Sequence, residues 1–583
     1  MKRGVEKIVA SKFWWLPLLI ILFAVNYLAS VFHTRFDLTK EKRYTLSKVT
    51  KDLLKNLDDD VKIDVFLKGE FPAKFRKLTN SVSEFLGLLK ESNSSKLKYT
   101  FISPSDEFPG VAGMKYADTL ERMGASAINL KAQVKTGESS SLAYPFAIMT
   151  YKGKQELITL FTVPQVSFSN NEKPEKIINS AEALLEYQFV KTLDVLINTE
   201  KPHVAYSVGN GEPTDARTYG IQDALSKNYQ LGIFDLNKHS RISTDVNDPG
   251  KIDIFISVKP SLQFTEEEKL KLDQFVMRGG RVILFIDNLI AEQDSLRFKA
   301  ETIAYDRNLN LSDQLFKYGV RINTDLVMSL DCDYMPFGIG GNAENPQYEF
   351  LKWNYYPLFG SSSNNPITKN SGLVIGRFVN SIDTITTPGI KKTVLLSSSP
   401  NSRTINTPAL ISLNENKNEP EDARFNKSNI PVAILLEGKF TSIFKNRISK
   451  SQIDSLNAIG NPFIDINKDV NKMIVVADGD MVLNDVSPQK GPLPLGTNLY
   501  TAGSQYDRQF ANKDFLLNCL EYLVNKPGII ETRNKDIVLR LLDSRKVKEQ
   551  KTTWQLINIG LPILLLLLFG WIYQQVRKRK YAA

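Results

Sequence analysis

Two long uncharged apolar runs lie at opposite ends of this chain, Phe13–Phe32 and Trp554–Tyr573. Each holds about 20 residues, and a helix rising ~1.5 Å per residue needs that many to cross a ~30 Å hydrocarbon core. Trp14 and Trp15 flank the first run, and Trp554 and Trp571 flank the second. Indole rings favour the lipid–water boundary, so these four residues are candidate membrane anchors. The pattern predicts two transmembrane helices enclosing everything else.

Two crossings place both tails on one side of the bilayer. Lys2, Arg3, Lys7 and Lys12 precede the first run, and Arg577, Lys578, Arg579 and Lys580 follow the second. Basic tails resist translocation, so both termini are expected in the cytoplasm and the large middle outside it. Arg35, Lys40, Lys42 and Arg43, with Arg545, Lys546, Lys548 and Lys551, point the other way. A long translocated domain largely escapes the rule. The first run has a long apolar core without a small-residue cleavage site beyond the weak Ala29-Ser30 pair, which favours an uncleaved anchor over a signal peptide.

The formal charge of +10 is no nucleic-acid signature, because the two tails carry +7 of it and leave the middle near +3. That is weak steering for a surface of this size. The two cysteines, Cys332 and Cys519, are too few for a disulfide framework or a zinc site.

Along the middle, helical and strand periodicities alternate. VKIDVFL (61–67) alternates like a strand, and Phe75, Leu78, Val82, Phe85, Leu86 and Leu89 repeat at helical spacing. A second helix face is formed by Leu185, Phe189, Leu193 and Leu196. IDIFISV reads as a buried strand, followed by a Thr265/Glu268 capping box, a helix stopped at Gly279-Gly280, and the strand RVILFID. Strands separated by helices predict a mostly parallel, doubly wound sheet. Residues 331–370 and 399–430 read as loosened or loop-like. The boundaries predicted are a basic tail 1–12, a span 13–32, a small α/β domain 33–163, a linker and helix 164–200, a larger Rossmann-like α/β domain 201–530, a juxtamembrane segment 531–553, a span 554–573 and a basic tail 574–583.

Chemistry is sparse. No phosphate-cradling G-x-x-x-x-G-K-[ST] loop occurs, so ATP hydrolysis is not expected of this chain. Gly338-Ile339-Gly340-Gly341 has no Lys-Ser/Thr after it and reads as a turn. The three histidines, His33, His203 and His239, mark no nucleophile. Two carboxylate clusters follow strands: Asp287-Asn288 after VILFI, and Asp478-Gly479-Asp480 after MIVVA. Glu212 closes a third post-strand loop, Gly209–Glu212. Strand C-termini in open α/β sheets are where ligands bind, so Asp287, Asn288, Asp478, Asp480 and Glu212 are the candidate ligand residues, for a cation or a sugar hydroxyl. Turn formation is the simpler reading of the same residues. Neither a catalytic residue, a metal ligand nor a cofactor is assigned.

RFDLTKEKRYTLS (35–47), directly after the first apolar run, resembles the start of the gliding-motility ABC-transporter auxiliary proteins of the GldG family of Bacteroidetes. LKGEFPAKFRKL (67–78) and LLEGKFTSIFKNR (435–447) are similar to further segments of that family. The resemblance implies a subunit in the bacterial inner membrane, with a cytoplasmic GldA-like ATPase and a polytopic GldF-like permease as partners and its large domain in the periplasm. It also implies a large domain resembling a degenerate class I glutamine amidotransferase. Neither cysteine sits at a strand-to-helix elbow, so catalysis would not carry over. Two functions are weighed: a non-enzymatic transporter subunit that binds a substrate or an envelope ligand, and a membrane-anchored periplasmic hydrolase or glycan-binding protein. No nucleic acid is expected as a partner.

Overall fold

The computed structural model describes residues 15–31, 37, 45–69, 71, 73–109, 114–134, 137–161, 174–198, 200–342, 346–413, 422–524, 528–534 and 544–581. Both basic tails fall wholly or partly outside these residues, as do Trp14 and most of the 35–47 segment. The chain divides into two compact units, Met1–Asp536 and Ile537–Ala583.

The first unit opens with helix α1 (Trp15–Val31), 17 residues long. At ~1.5 Å per residue these described residues alone span ~26 Å. A four-stranded sheet follows. Its strands are β1 (Val61–Val65), β2 (Leu97–Phe101), β3 (Phe146–Tyr151) and β4 (Lys154–Thr159), in the order β2-β1-β3-β4. Strands β1 and β2 are parallel and the other pairs antiparallel. The β3–β4 hairpin turns through Lys152 and Gly153, both at positive φ (48° and 77°), which is the backbone a two-residue hairpin requires. Helices α2 (Ala73–Ser92) and α3 (Pro174–Ile197) bury the faces expected from their spacing. Phe75, Leu78, Val82, Phe85 and Leu86 share a core with Leu185, Phe189, Leu193 and the inward side chains of β1. Helix α3 also packs Tyr187 and Val190 against Ile529 and Ile530.

The remainder of this unit is organised by one long sheet. Its main strands are β5 (His203–Val208), β6 (Gln230–Asp235), β7 (Ile254–Val258), β8 (Arg281–Phe285), β9 (Cys332–Gly341), β10 (Pro346–Ser361), β11 (Ile390–Ser398), β12 (Pro431–Gly438) and β13 (Asn471–Val476). Their order is β6-β5-β7-β8-β13-β12-β11-β10-β9. From β6 through β13 every pair is parallel. From β13 through β9 every pair is antiparallel. The expectation of a mostly parallel sheet therefore fails over 332–438, and the fold is a mixed α/β one. Strands β9 and β10 form a long hairpin with register shifts at Cys332/Tyr334 and Gly338/Gly340. Those bulges break the period-2 alternation, which is why the stretch reads as loosened. Gly338–Gly341 belongs to β9 and is not a turn.

Helix α4 (Glu266–Met277) starts at the expected capping box: Glu268 N–H donates to Thr265 Oγ1 at 3.2 Å, and Thr265 N–H donates to Glu268 Oε2 at 2.7 Å. Helix α5 (Asn512–Val524) buries Phe515, Leu516, Cys519, Leu520 and Leu523 against the sheet, as its periodicity predicts.

The second unit holds helix α6 (Ser544–Tyr581), 38 residues with Pro562 inside. Among the described residues one helix, Gln550–Arg579, is long and apolar enough to cross a membrane. Trp554 and Trp571 are both exposed on it. The predicted span 554–573 lies within it, and the same helix takes in residues 544–553 of the predicted juxtamembrane segment.

Candidate functional site

Every strand of the parallel half ends at the same edge, so the residues just past β7, β8 and β13 must meet. They are Lys259, Asp287 and Asp478-Gly479-Asp480. The buried strand β7 runs directly into Lys259, whose φ of 49° turns the chain sharply and aims its side chain across the edge. The Lys259 ammonium lies 2.7 Å from Asp480, 3.2 Å from Asp287 and 3.0 Å from Glu292. Gly479 permits this approach. A Cβ there would stand 2.6 Å from the Lys259 Cβ and 2.8 Å from its Cα, closer than any real contact.

The carboxylates are further fixed by backbone donors. Asp478 Oδ1 accepts from the N–H of Asp480 and Met481 at 2.8 and 3.1 Å, and its Oδ2 accepts from the N–H of Arg377 at 2.9 Å. Asp287 Oδ1 accepts from the Gly479 N–H. The Arg377 guanidinium forms a bidentate pair with Asp485 at 2.6 and 2.7 Å and lies 5.4 Å over the Tyr356 ring. Glu292 receives a second cation, Arg307, at 2.7 Å.

Burial opposes every charge in this group, and the neighbours decide the outcome. Burial works against the Lys259 ammonium, but Asp480, Asp287 and Glu292 together hold its pKa above the ordinary lysine value. Asp287 is pushed up to about 6 by burial, with Asp480 and Glu292 adding to the push against Lys259. Asp478 is raised well above the carboxylate range by burial and by the charges of Asp287 and Asp480. Asp480 alone is lowered: burial would raise it, and Lys259 and Arg377 prevail.

Carboxylate oxygens of Asp287, Asp478 and Asp480 all lie within 4.8 Å of one another, a spacing a hard cation accepts. The Lys259 ammonium is already among them, touching two of the three acids. The cluster thus carries its own cation and acts as a brace tying β7, β8 and β13 together.

Three of the five sequence candidates therefore converge. Asn288 stays outside the cluster, donating its N–H to Asn380 Oδ1 at 2.9 Å. Glu212 has a different task. It accepts from the Asn210 N–H at 2.9 Å and from Ser257 Oγ at 3.0 Å, which fastens the loop after β5 to β7. The turn-forming reading is the one its contacts fit. Lys259, Glu292, Arg377 and Asp485 were missed. Only Lys259 carried a signal, as the first residue after the apolar strand IFISV. Both cysteines are buried, and burial raises both thiols. His203 Nδ1 rests 2.9 Å from the Lys251 carbonyl, and His239 stacks on Phe234.

The family model described as "ABC-type uncharacterized transport system" matches residues 201–519, more than half of the chain. The chain belongs to this family. The match takes in the whole long sheet and the strand-edge cluster. A second family model, of a domain of unknown function, matches residues 40–150, the region of the four-stranded sheet. An uncharacterized protein of Borreliella burgdorferi is 22% identical over 583 residues, covering 96% of this chain and 97% of that protein. Among solved structures, the mmIFT52 N-terminal domain aligns with 56% of this chain and 98% of its own at 14% identity and a TM-score of 0.30. PurLQS from Thermotoga maritima aligns with 56% of this chain and 100% of its own at 9% identity and a TM-score of 0.21. Such low scores assign no fold.

Proposed function

We propose that this protein is a non-enzymatic, membrane-anchored auxiliary subunit of an ABC transport system of the GldA–GldF–GldG type, linked to gliding motility. The observation that carries the reading is the family match over 201–519, which implies association with a permease and an ATPase. In this reading α1 and α6 hold the subunit to the inner membrane beside the permease, both termini are cytoplasmic, and the body between them lies in the periplasm. The body binds a substrate or an envelope partner and is coupled to the motion the ATPase drives.

The absence of catalysis in this reading draws support from the strand edge. A general acid–base pair needs a group free to exchange a proton with substrate. Asp287 and Asp480 are instead pinned by Lys259, and Asp478 by three backbone N–H groups. The buried thiols are poor nucleophiles, since reactivity belongs to the thiolate.

The test is purification of the full chain through a tag on its C-terminal tail in mild detergent. A multi-span permease and a nucleotide-binding subunit should come with it in fixed ratio. Recovery of the protein alone, under conditions that keep other ABC complexes intact, would count against the assignment.

A further inference from the structure

A cavity of about 220 Å³ opens between α3 and α5. Arg533 lines it. Its guanidinium lies 4.7 Å over the Tyr187 ring, and its Nη2 donates to the Lys369 carbonyl and to Ser371 Oγ, both at 3.3 Å. Arg533 is 5% exposed, and its Nε is buried without a hydrogen-bond partner. The side-chain nitrogen of Asn370, also in the wall, is buried and unpartnered too. Asp514, in the first turn of α5, supplies the opposite charge. Asp514 lines the cavity at an exposed position, and it has no hydrogen bond or ion pair among the described residues. Burial raises Asp514, against the pull of Arg533, Lys191 and Lys513. Two of those cations are engaged elsewhere, Lys191 with Glu521 at 2.8 Å and Lys513 with Asp223 at 2.9 Å.

One small volume therefore faces an under-satisfied guanidinium and amide on one hand and an unpaired carboxylate on the other. The buried Arg533 Nε and the Asn370 amide nitrogen have lost hydration without compensation, while Asp514 keeps its charge in reach of the same volume. A molecule carrying a carboxylate and an ammonium satisfies both. The volume lies below the ~300–1,000 Å³ of drug-sized sites, which limits the occupant to a few heavy atoms. We infer that this cavity is a binding site for a small zwitterion of amino-acid size, its carboxylate held by Arg533 and Asn370 and its ammonium by Asp514.

The inference names a ligand class for the body of the subunit and rests on the auxiliary-subunit reading for its biological role. Its test is separate. The purified full chain in detergent, without partners, is titrated calorimetrically with glycine, L-alanine, L-glutamate, glycyl-glycine, acetate and methylamine. One or more of the amino acids should bind, with acetate and methylamine much weaker. Asp514→Asn should weaken that binding roughly tenfold or more, as loss of one charge-assisted contact implies. Arg533→Lys, which keeps the charge but not the fork, should weaken it as well. Asp514 has no partner to lose, so its variant should fold, and its melting curve reports this directly. No binding by any amino acid at millimolar concentration, binding of acetate as strong as glycine, or binding unchanged in both variants would overturn the proposal. Failure to recover a permease would overturn the transporter reading and leave this result standing.

Discussion

The strand edge around Lys259 and the cavity around Arg533 and Asp514 are both rich in charge, but they balance it differently. At the strand edge each charge has a partner in contact, down to a lysine placed among three acids. In the cavity an arginine donor and a carboxylate face each other across space. Apparent functional acids can thus be spent on holding strand ends together, while groups of no obvious pattern are left open. What separates the two is whether the geometry completes the hydrogen bonds.

The sharpest way to break the comparison is to remove the cation from the edge. Lys259→Met leaves the buried Asp287 uncompensated and takes from Asp480 its nearest cation, and loss of one partner of a buried pair costs about 3–5 kcal/mol. Denaturant unfolding of the purified protein should show that loss, and a near-neutral result would mean the cluster is not a brace. A smaller effect is expected of Gly479→Ala, which forces Cβ against Lys259. Overpacking of this kind costs about 1–3 kcal/mol, and an unchanged melting curve would show that the two strand ends can separate freely.

Acidity probes the same site from another side. Asp287, held up to about 6, keeps its proton in the native state where the unfolded chain has released it. Stability should therefore fall as pH rises from about 4 to about 6, with Asp478, raised well above the carboxylate range, adding to the fall, since the native state binds more protons than the unfolded chain. The share of Asp287 should be about 1–3 kcal/mol, at 1.36 kcal/mol per pKa unit, and Asp287→Asn should remove that share. A slope identical in wild type and variant would assign the effect elsewhere. The smallest expected change is at the cavity. Asp514→Asn removes an exposed, unpaired charge that sits favourably at a helix N-terminus and is opposed by the cost of its partial desolvation. The opposing contributions leave stability within about 1 kcal/mol of the parent. A loss as large as that of Lys259→Met would reveal a hidden structural partner.

The parallel half of the long sheet was legible because its strands are short continuous apolar runs separated by capped helices. Thr265 and Glu268 behave as their spacing requires, and the acids after β8 and β13 reach the strand edge where a ligand-binding reading put them. In the antiparallel half, β11 and β12 also show as apolar runs, at Thr393–Ser397 and Val432–Leu436, but the β9–β10 hairpin was not legible, because it carries bulges, glycines and prolines that erase alternation. The partners at the edge were hidden for another reason. Lys259 meets Asp480 across more than 200 residues of chain, and Arg377 meets Asp485 across 108, so no local spacing announces them. Arg533 and Asp514 are single charges in ordinary surroundings, and only the packing of α3 on α5 gives them a shared cavity. The two apolar termini were plain as composition, and among the described residues one helix, Gln550–Arg579, is long and apolar enough to cross a membrane.

Helix α6 has a mechanical consequence. At ~1.5 Å per residue its 38 residues make a rod of ~57 Å, nearly twice the thickness of a hydrocarbon core. The lipid-facing stretch and the charged turns before it are one piece, so a tilt imposed on either end is delivered to the other as a lever delivers it. The one soft point is Pro562, which denies the Asn558 carbonyl its usual donor and lets the rod bend there and nowhere else by the same cause.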